Sequence, residues 1–86
     1  MGKKEKLIAR LKSKPRDFTF EEAETLLGFL GYSKSDKGKT SGSRVMFVNS
    51  ERDLKLIMHK PHPSNIIKGY VMRDILNYLL KNNYIK

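Results

Sequence analysis

Apolar positions along this chain of 86 residues recur at two different spacings, and each change of spacing marks an element boundary. Between Lys4 and Lys12 the apolar side chains are Leu7, Ile8 and Leu11, an i, i+1, i+4 pattern that lines one face of a helix. Pro15 ends that helix at or before Lys14, because a residue preceding proline is pushed out of helical conformation. The stretch DFTFEEAETLLGFLGY predicts a second helix. Thr19 is its N-cap, and Glu22 three residues on completes a capping box. Phe18 is placed to staple onto Ala23, while Glu21, Glu22 and Glu24 occupy the first turns, where the helix dipole favours anions. Ala23, Leu26, Leu27 and Leu30 form its buried stripe, with Gly31 as the C-terminal cap.

The period then falls to two. YSKSDKGKTSGSR holds a short strand around Tyr32 to Ser35, followed by a loop from Lys37 to Gly42. RVMFVN is β-branched and aromatic and reads as a strand; SERD supplies a turn; LKLIMH returns as the antiparallel partner. Leu54, Leu56 and Met58 alternate there with Lys55, Ile57 and His59, so one face of the strand is greasier than the other. A last helix, KGYVMRDILNYLLKNNYIK, carries a stripe of Val71, Met72, Ile75, Leu76 and Leu79 and frays in KNNYIK. The expected fold is therefore α+β: two helices, a three-stranded antiparallel meander and a third helix, with the helices on one sheet face. The whole chain forms one domain, with 1–17 as an amino-terminal helix and linker, 18–80 as the core and 81–86 as a frayed tail.

Composition removes several classes of function. The chain has no cysteine, so disulfides, thiolate zinc sites and cysteine nucleophiles are excluded, as suits a reducing cytoplasm. No apolar run is long enough to span a membrane, and the basic start MGKKEKLIAR lacks the apolar core of a secretory signal. The net charge of +9 is large for so short a chain and makes a polyanion the expected partner, the candidates being nucleic acid, an acidic protein and an anionic membrane surface. GKTSGS does not form a phosphate-binding P-loop, because Ser33 stands where that motif needs its first glycine. His59 and His62, with Asp53 as the closest carboxylate in sequence, fall short of a zinc set. No cofactor is expected.

Three stretches in order, GKTSGSRVMF, IMHKPHPSN and IIKGYVMRDILNYL, resemble the HicA toxins, or YcfA-like family. The matching residues are Gly42, Ser43 and Arg44, then His59, Pro61, His62 and Pro63. Ile67 and Lys68 follow at the entry to the last helix, with Arg73, Ile75 and Leu76 inside it. The resemblance covers roughly 31–80. It implies a double-stranded-RNA-binding-like fold and cleavage of mRNA, restrained by a HicB-like antitoxin. The family pattern there is Gly-Ser-His or Gly-Ser-Arg; in well-known members the residue is a histidine taken as catalytic, and here it is Arg44, which stays protonated and cannot act as a base.

The residues themselves support metal-independent RNA cleavage in the following roles. Histidine populates both protonation states near neutral pH, which suits it to proton transfer. His59 ends the third strand and is the first candidate; His62, stiffened between Pro61 and Pro63, is the second. Arg44, on the neighbouring strand, has the planar fork that meets two phosphate oxygens. Lys34, Lys37, Lys39, Ser43, Lys60 and Lys68 are the candidate RNA-binding residues, with sequence-independent phosphate affinity supplied by the lysines. Two other readings stay open: a non-catalytic RNA-binding module of the same fold, in which Arg44 marks lost chemistry, and a basic partner for an acidic protein. Likewise His59 as a backbone hydrogen-bond donor and His62 as a plain turn residue remain alternatives.

Overall fold

A computed structural model describes residues 2–35, 44–61 and 64–85. The elements run α1 (Lys3–Ser13), α2 (Phe20–Phe29), β1 (Ser33–Ser35), β2 (Arg44–Asn49), β3 (Leu54–His59) and α3 (Gly69–Lys81). The fold is α+β in the expected order, with one antiparallel sheet in the strand order β1-β2-β3. None of the described helices is long and apolar enough to cross a membrane.

α2 begins where the sequence demands. The Glu22 N–H donates to Thr19 Oγ1 at 3.1 Å, and the Thr19 N–H donates back to Glu22 Oε1 at 3.0 Å. Phe18 and Ala23, the staple pair, are both buried. The helix ends in a Schellman turn: Tyr32 N–H reaches the Leu27 carbonyl at 2.9 Å and Gly31 N–H the Gly28 carbonyl at 3.1 Å. Gly31 takes φ of +95°, and a Cβ there would stand 3.2 Å from Asn49 Nδ2. Glycine is therefore required for both conformation and space.

Alternation along the strands decides what each face does. Val45, Phe47 and Asn49 of β2 lie opposite Met58, Leu56 and Leu54 of β3, and this set faces the helices. Phe47 packs on Phe20 with ring centroids 6.2 Å apart, joining Leu26, Leu27, Met72, Ile75 and Leu79 in one core. The other set comprises Arg44, Met46 and Val48 against His59, Ile57 and Lys55, and no described helix covers it. α1 is not an appendage to a core beginning at residue 18: its Leu11 is completely buried in that core. Its Arg10 Nε also lies 2.7 Å from Glu22 Oε2, which fastens α1 to the capping box.

The end of the chain corrects the expectation of a frayed tail. Residues 82–85 close α3 with a second Schellman turn. Asn83 adopts φ of 63°, and Tyr84 N–H donates to the Leu79 carbonyl at 2.9 Å. Ile85 is buried. The Tyr84 hydroxyl accepts from Asn49 Nδ2 at 2.8 Å, while the same amide donates to the Leu30 carbonyl at 3.2 Å. Asn49 Oδ1 accepts from the Arg52 N–H at 3.2 Å, and Asp53 at φ of 53° closes the hairpin. Burial, then hydrogen bonding to Tyr78 and Tyr84, pushes the Tyr32 hydroxyl well above the usual phenol range. The tail holds because its polar groups are satisfied here and its apolar ones are packed.

Three stability measurements check this description. Thr19→Ala should cost about 1 kcal/mol, the usual cost of a lost N-cap, read as a lower urea midpoint at unchanged m-value. Asn49→Ala should cost more, about 2–3 kcal/mol, because it strands buried partners on three segments. Removal of 82–86 should destabilise the chain comparably, where a frayed tail would be dispensable.

Candidate nucleic-acid interface

Among the described residues β3 is an edge strand with one neighbour, β2. The Tyr78 hydroxyl, on α3, donates to the Lys55 carbonyl at 3.1 Å, so the backbone of Lys55 faces away from β2. In an antiparallel strand alternate residues turn both backbone groups to the same side. Lys55, Ile57 and His59 therefore face outward, and Arg44 and His59, which are direct cross-strand partners, form a non-hydrogen-bonded pair. Such pairs bring Cα atoms to about 4.5 Å, with side chains closer than in the alternate pairs. Both residues are exposed and leave the sheet on its open face. The hairpin thus sets a guanidinium beside an imidazole at one end of the sheet.

The segment after β3 is held rather than hanging. Thr19 and Ile66 form an isolated antiparallel bridge. Phe20 N–H donates to the Asn65 carbonyl at 2.8 Å, and Ile67 N–H to the Phe18 carbonyl at 2.7 Å. The Asn65 amide also donates to Glu21 Oε1. These bonds use the N–H and C=O groups flanking the α2 cap, which no helical partner could satisfy. Ile67 is fully enclosed. The chain leaving His59 is consequently returned to the amino end of α2 before it enters α3.

The remaining sequence-derived candidates separate into three groups. Lys60 follows His59 directly, but its ammonium lies 5.9 Å from the ring centroid of Phe20, a cation–π distance to a core residue, so it leaves toward the helix side and not beside Arg44 and His59 on the open face. Lys68 is the N-cap residue of α3. It lines a cavity of about 450 Å³ with Pro61, Ser64, Ile66 and Tyr70, so it shares the Pro61 side of the molecule. Lys34 does not belong with these residues. Its register partner is Phe47, an inward position, so Lys34 leaves on the helix side of the sheet and lies 4.0 Å from Glu24. His62, Lys37, Lys39 and Ser43 fall outside the described residues, as do Gly42 and Pro63.

Sequence reading missed the helix side of this region. His59 and Ile57 share a groove of about 270 Å³ with Tyr70, Asp74 and Tyr78 of α3. The signal was present: residues 70, 74 and 78 recur every four positions, which places them on one helix face. Asp53 sits at the far end of β3 from His59, about 20 Å away at the usual rise per residue. Among the described residues no three carboxylate or imidazole side chains come together as a metal set.

No family model matches the chain, and neither the curated proteins nor the solved structures provide a match.

The anchored segment makes a measurable prediction. Ile67→Ala should cost about 2–5 kcal/mol as a large-to-small core change. Amide exchange at Phe20 and Ile67 should accelerate more than exchange in β2, because the bridge to the α2 cap opens first.

Proposed function

We propose that this protein is a metal-independent endoribonuclease of the HicA type, the toxin of a toxin–antitoxin pair whose partner is a HicB-like antitoxin. The observation that carries this reading is the cross-strand pairing of Arg44 with His59 on the exposed sheet face. An RNA phosphate lying over that pair meets a fixed positive charge on one side and a group that exchanges protons near neutral pH on the other. His59 takes the proton from the ribose 2′-hydroxyl as its oxygen attacks phosphorus. The bond to the 5′-oxygen breaks, and that oxygen receives a proton from an acid. His62 is the candidate acid by sequence. Arg44 balances the charge gathering on the non-bridging oxygens, a stabilisation that grows as the reaction proceeds. Lys60 and Lys68 add phosphate affinity without reading bases.

Arg44 also supports a second reading, a non-catalytic RNA-binding module, since well-known members of the resembled family have histidine at this position. One experiment separates the two. A labelled mRNA is incubated in EDTA with wild type, His59→Ala and Arg44→Ala. Cleavage that falls about 10²–10⁴-fold in His59→Ala matches general acid–base catalysis. A comparable loss in Arg44→Ala, partly restored in Arg44→Lys, matches charge stabilisation. Wild type that binds RNA without cutting it favours the module, and cleavage undiminished in His59→Ala removes His59 from the mechanism.

Affinity gives an independent prediction. RNA binding should weaken steeply with salt, and Arg44→Gln should lower the slope of log affinity against log salt by about one phosphate contact. Lys34→Gln should lower it less, because Lys34 lies on the other face beside Glu24.

A further inference from the structure

We propose that the free edge of β3 and the groove between it and α3 accept an extended, acidic segment of a protein partner as a fourth strand of the sheet. Identifying that partner with the antitoxin rests on the nuclease reading; the mode of docking does not.

Three observations converge on this edge. Ile57 and His59 direct their backbone N–H and C=O groups away from β2, as argued from the Tyr78 bond to Lys55. The Lys55 carbonyl is already taken up by Tyr78; among the described residues no strand or side chain takes up the outward groups of Ile57 and His59. An open row of such groups is a template for strand addition. Beside it, Ile57 is 45% exposed and Tyr70 58% exposed, and both line the groove with Val71, Asp74 and Tyr78. A wet, apolar-walled slot thus runs alongside unpaired backbone.

The chemistry of the occupant follows from what surrounds the slot. Side chains of an added strand alternate between the two sheet faces. Those turned toward the helices enter the groove against Tyr70 and Val71 and are apolar. Asp74 is the one carboxylate lining that groove, so a backbone N–H or hydroxyl, not a second carboxylate, meets it. Those turned to the open face lie beside Lys55, Ile57 and His59, and acidic residues suit the Lys55 ammonium there. A segment alternating apolar and acidic residues satisfies both faces. A second copy of this chain fits poorly, because each copy carries a net charge of +9 and like-charged surfaces repel. An acidic strand seated here also covers the imidazole of His59, so docking and access of RNA phosphate exclude each other.

The test uses an eight-residue synthetic peptide alternating valine and glutamate, compared with a peptide of identical composition in which the two residues are blocked. Titration into the full chain is followed by amide chemical shifts and hydrogen exchange at low salt. The alternating peptide should protect the amides of Ile57 and His59 and bind at least tenfold more tightly than the blocked one. Ile57→Pro removes an outward N–H while leaving the β2–β3 ladder intact, and should cut affinity tenfold or more. Tyr70→Asp, at an exposed position that does not threaten folding, should do the same by charging the groove. Equal binding of both peptides, unchanged affinity in Tyr70→Asp, or no protection at Ile57 and His59 would overturn the proposal. So would peptide-free dimerisation abolished by Tyr70→Asp, which would make the occupant a second copy. Strand docking by a protein that fails to cut RNA would sink the nuclease reading alone; cleavage without edge docking would sink only this one.

Discussion

Apolar surface is the scarce quantity in a chain of this size. The core formed by Phe18, Phe20, Leu26, Leu27, Phe47, Met58, Met72, Ile75 and Leu79 fills the space between the helices and one side of the sheet. None of the described helices covers the other side. Strand alternation then sorts the chain without further instruction: every second residue of β2 and β3 goes to the core, and the residues between them go to water. Arg44 and His59 are neighbours because both fall on the uncovered phase of that alternation and because the four-residue turn at 50–53 sets the register. The candidate site is thus a by-product of how the sheet is filled.

Register also explains why the candidate lysines separate. Lys34, one residue out of phase with Ser33 and Ser35, emerges on the helix side despite its polar surroundings in sequence. A shift of one position exchanges the faces completely, so nearness along the chain says little about sharing a site. Lys60 and Lys68, eight positions apart, lie on the same side because the intervening segment is pinned to the cap of α2. Its bridge to residues 18–20 uses backbone groups that any helix start leaves unsatisfied.

Much of the architecture was legible beforehand because it rests on local chemistry. The Thr19–Glu22 box, the Gly31 termination and the bounds of β2 and β3 each depend on residues within a turn or a strand of one another. What escaped were contacts between segments distant in sequence. KNNYIK looked unstructured because it is polar, yet its asparagine takes a left-handed conformation and Tyr84 finds Asn49, which no local pattern reveals. The Tyr70–Asp74–Tyr78 face was visible as a spacing, but only the fold shows that β3 runs beside it. The tyrosines divide: Tyr70 is exposed, whereas Tyr32 is buried.

Asn49 sits where the hairpin, the end of α2 and the carboxyl-terminal turn converge, and its amide serves all three. A side chain at Gly31 would be strained at its positive φ and would press on that amide, which would have to shift. Positions 31, 49 and 84 therefore do not vary independently, and effects of changes among them should depart from additivity. A replacement at any one of the three is thus absorbed or rejected by the other two together, so the knot acts as one unit in the folded chain.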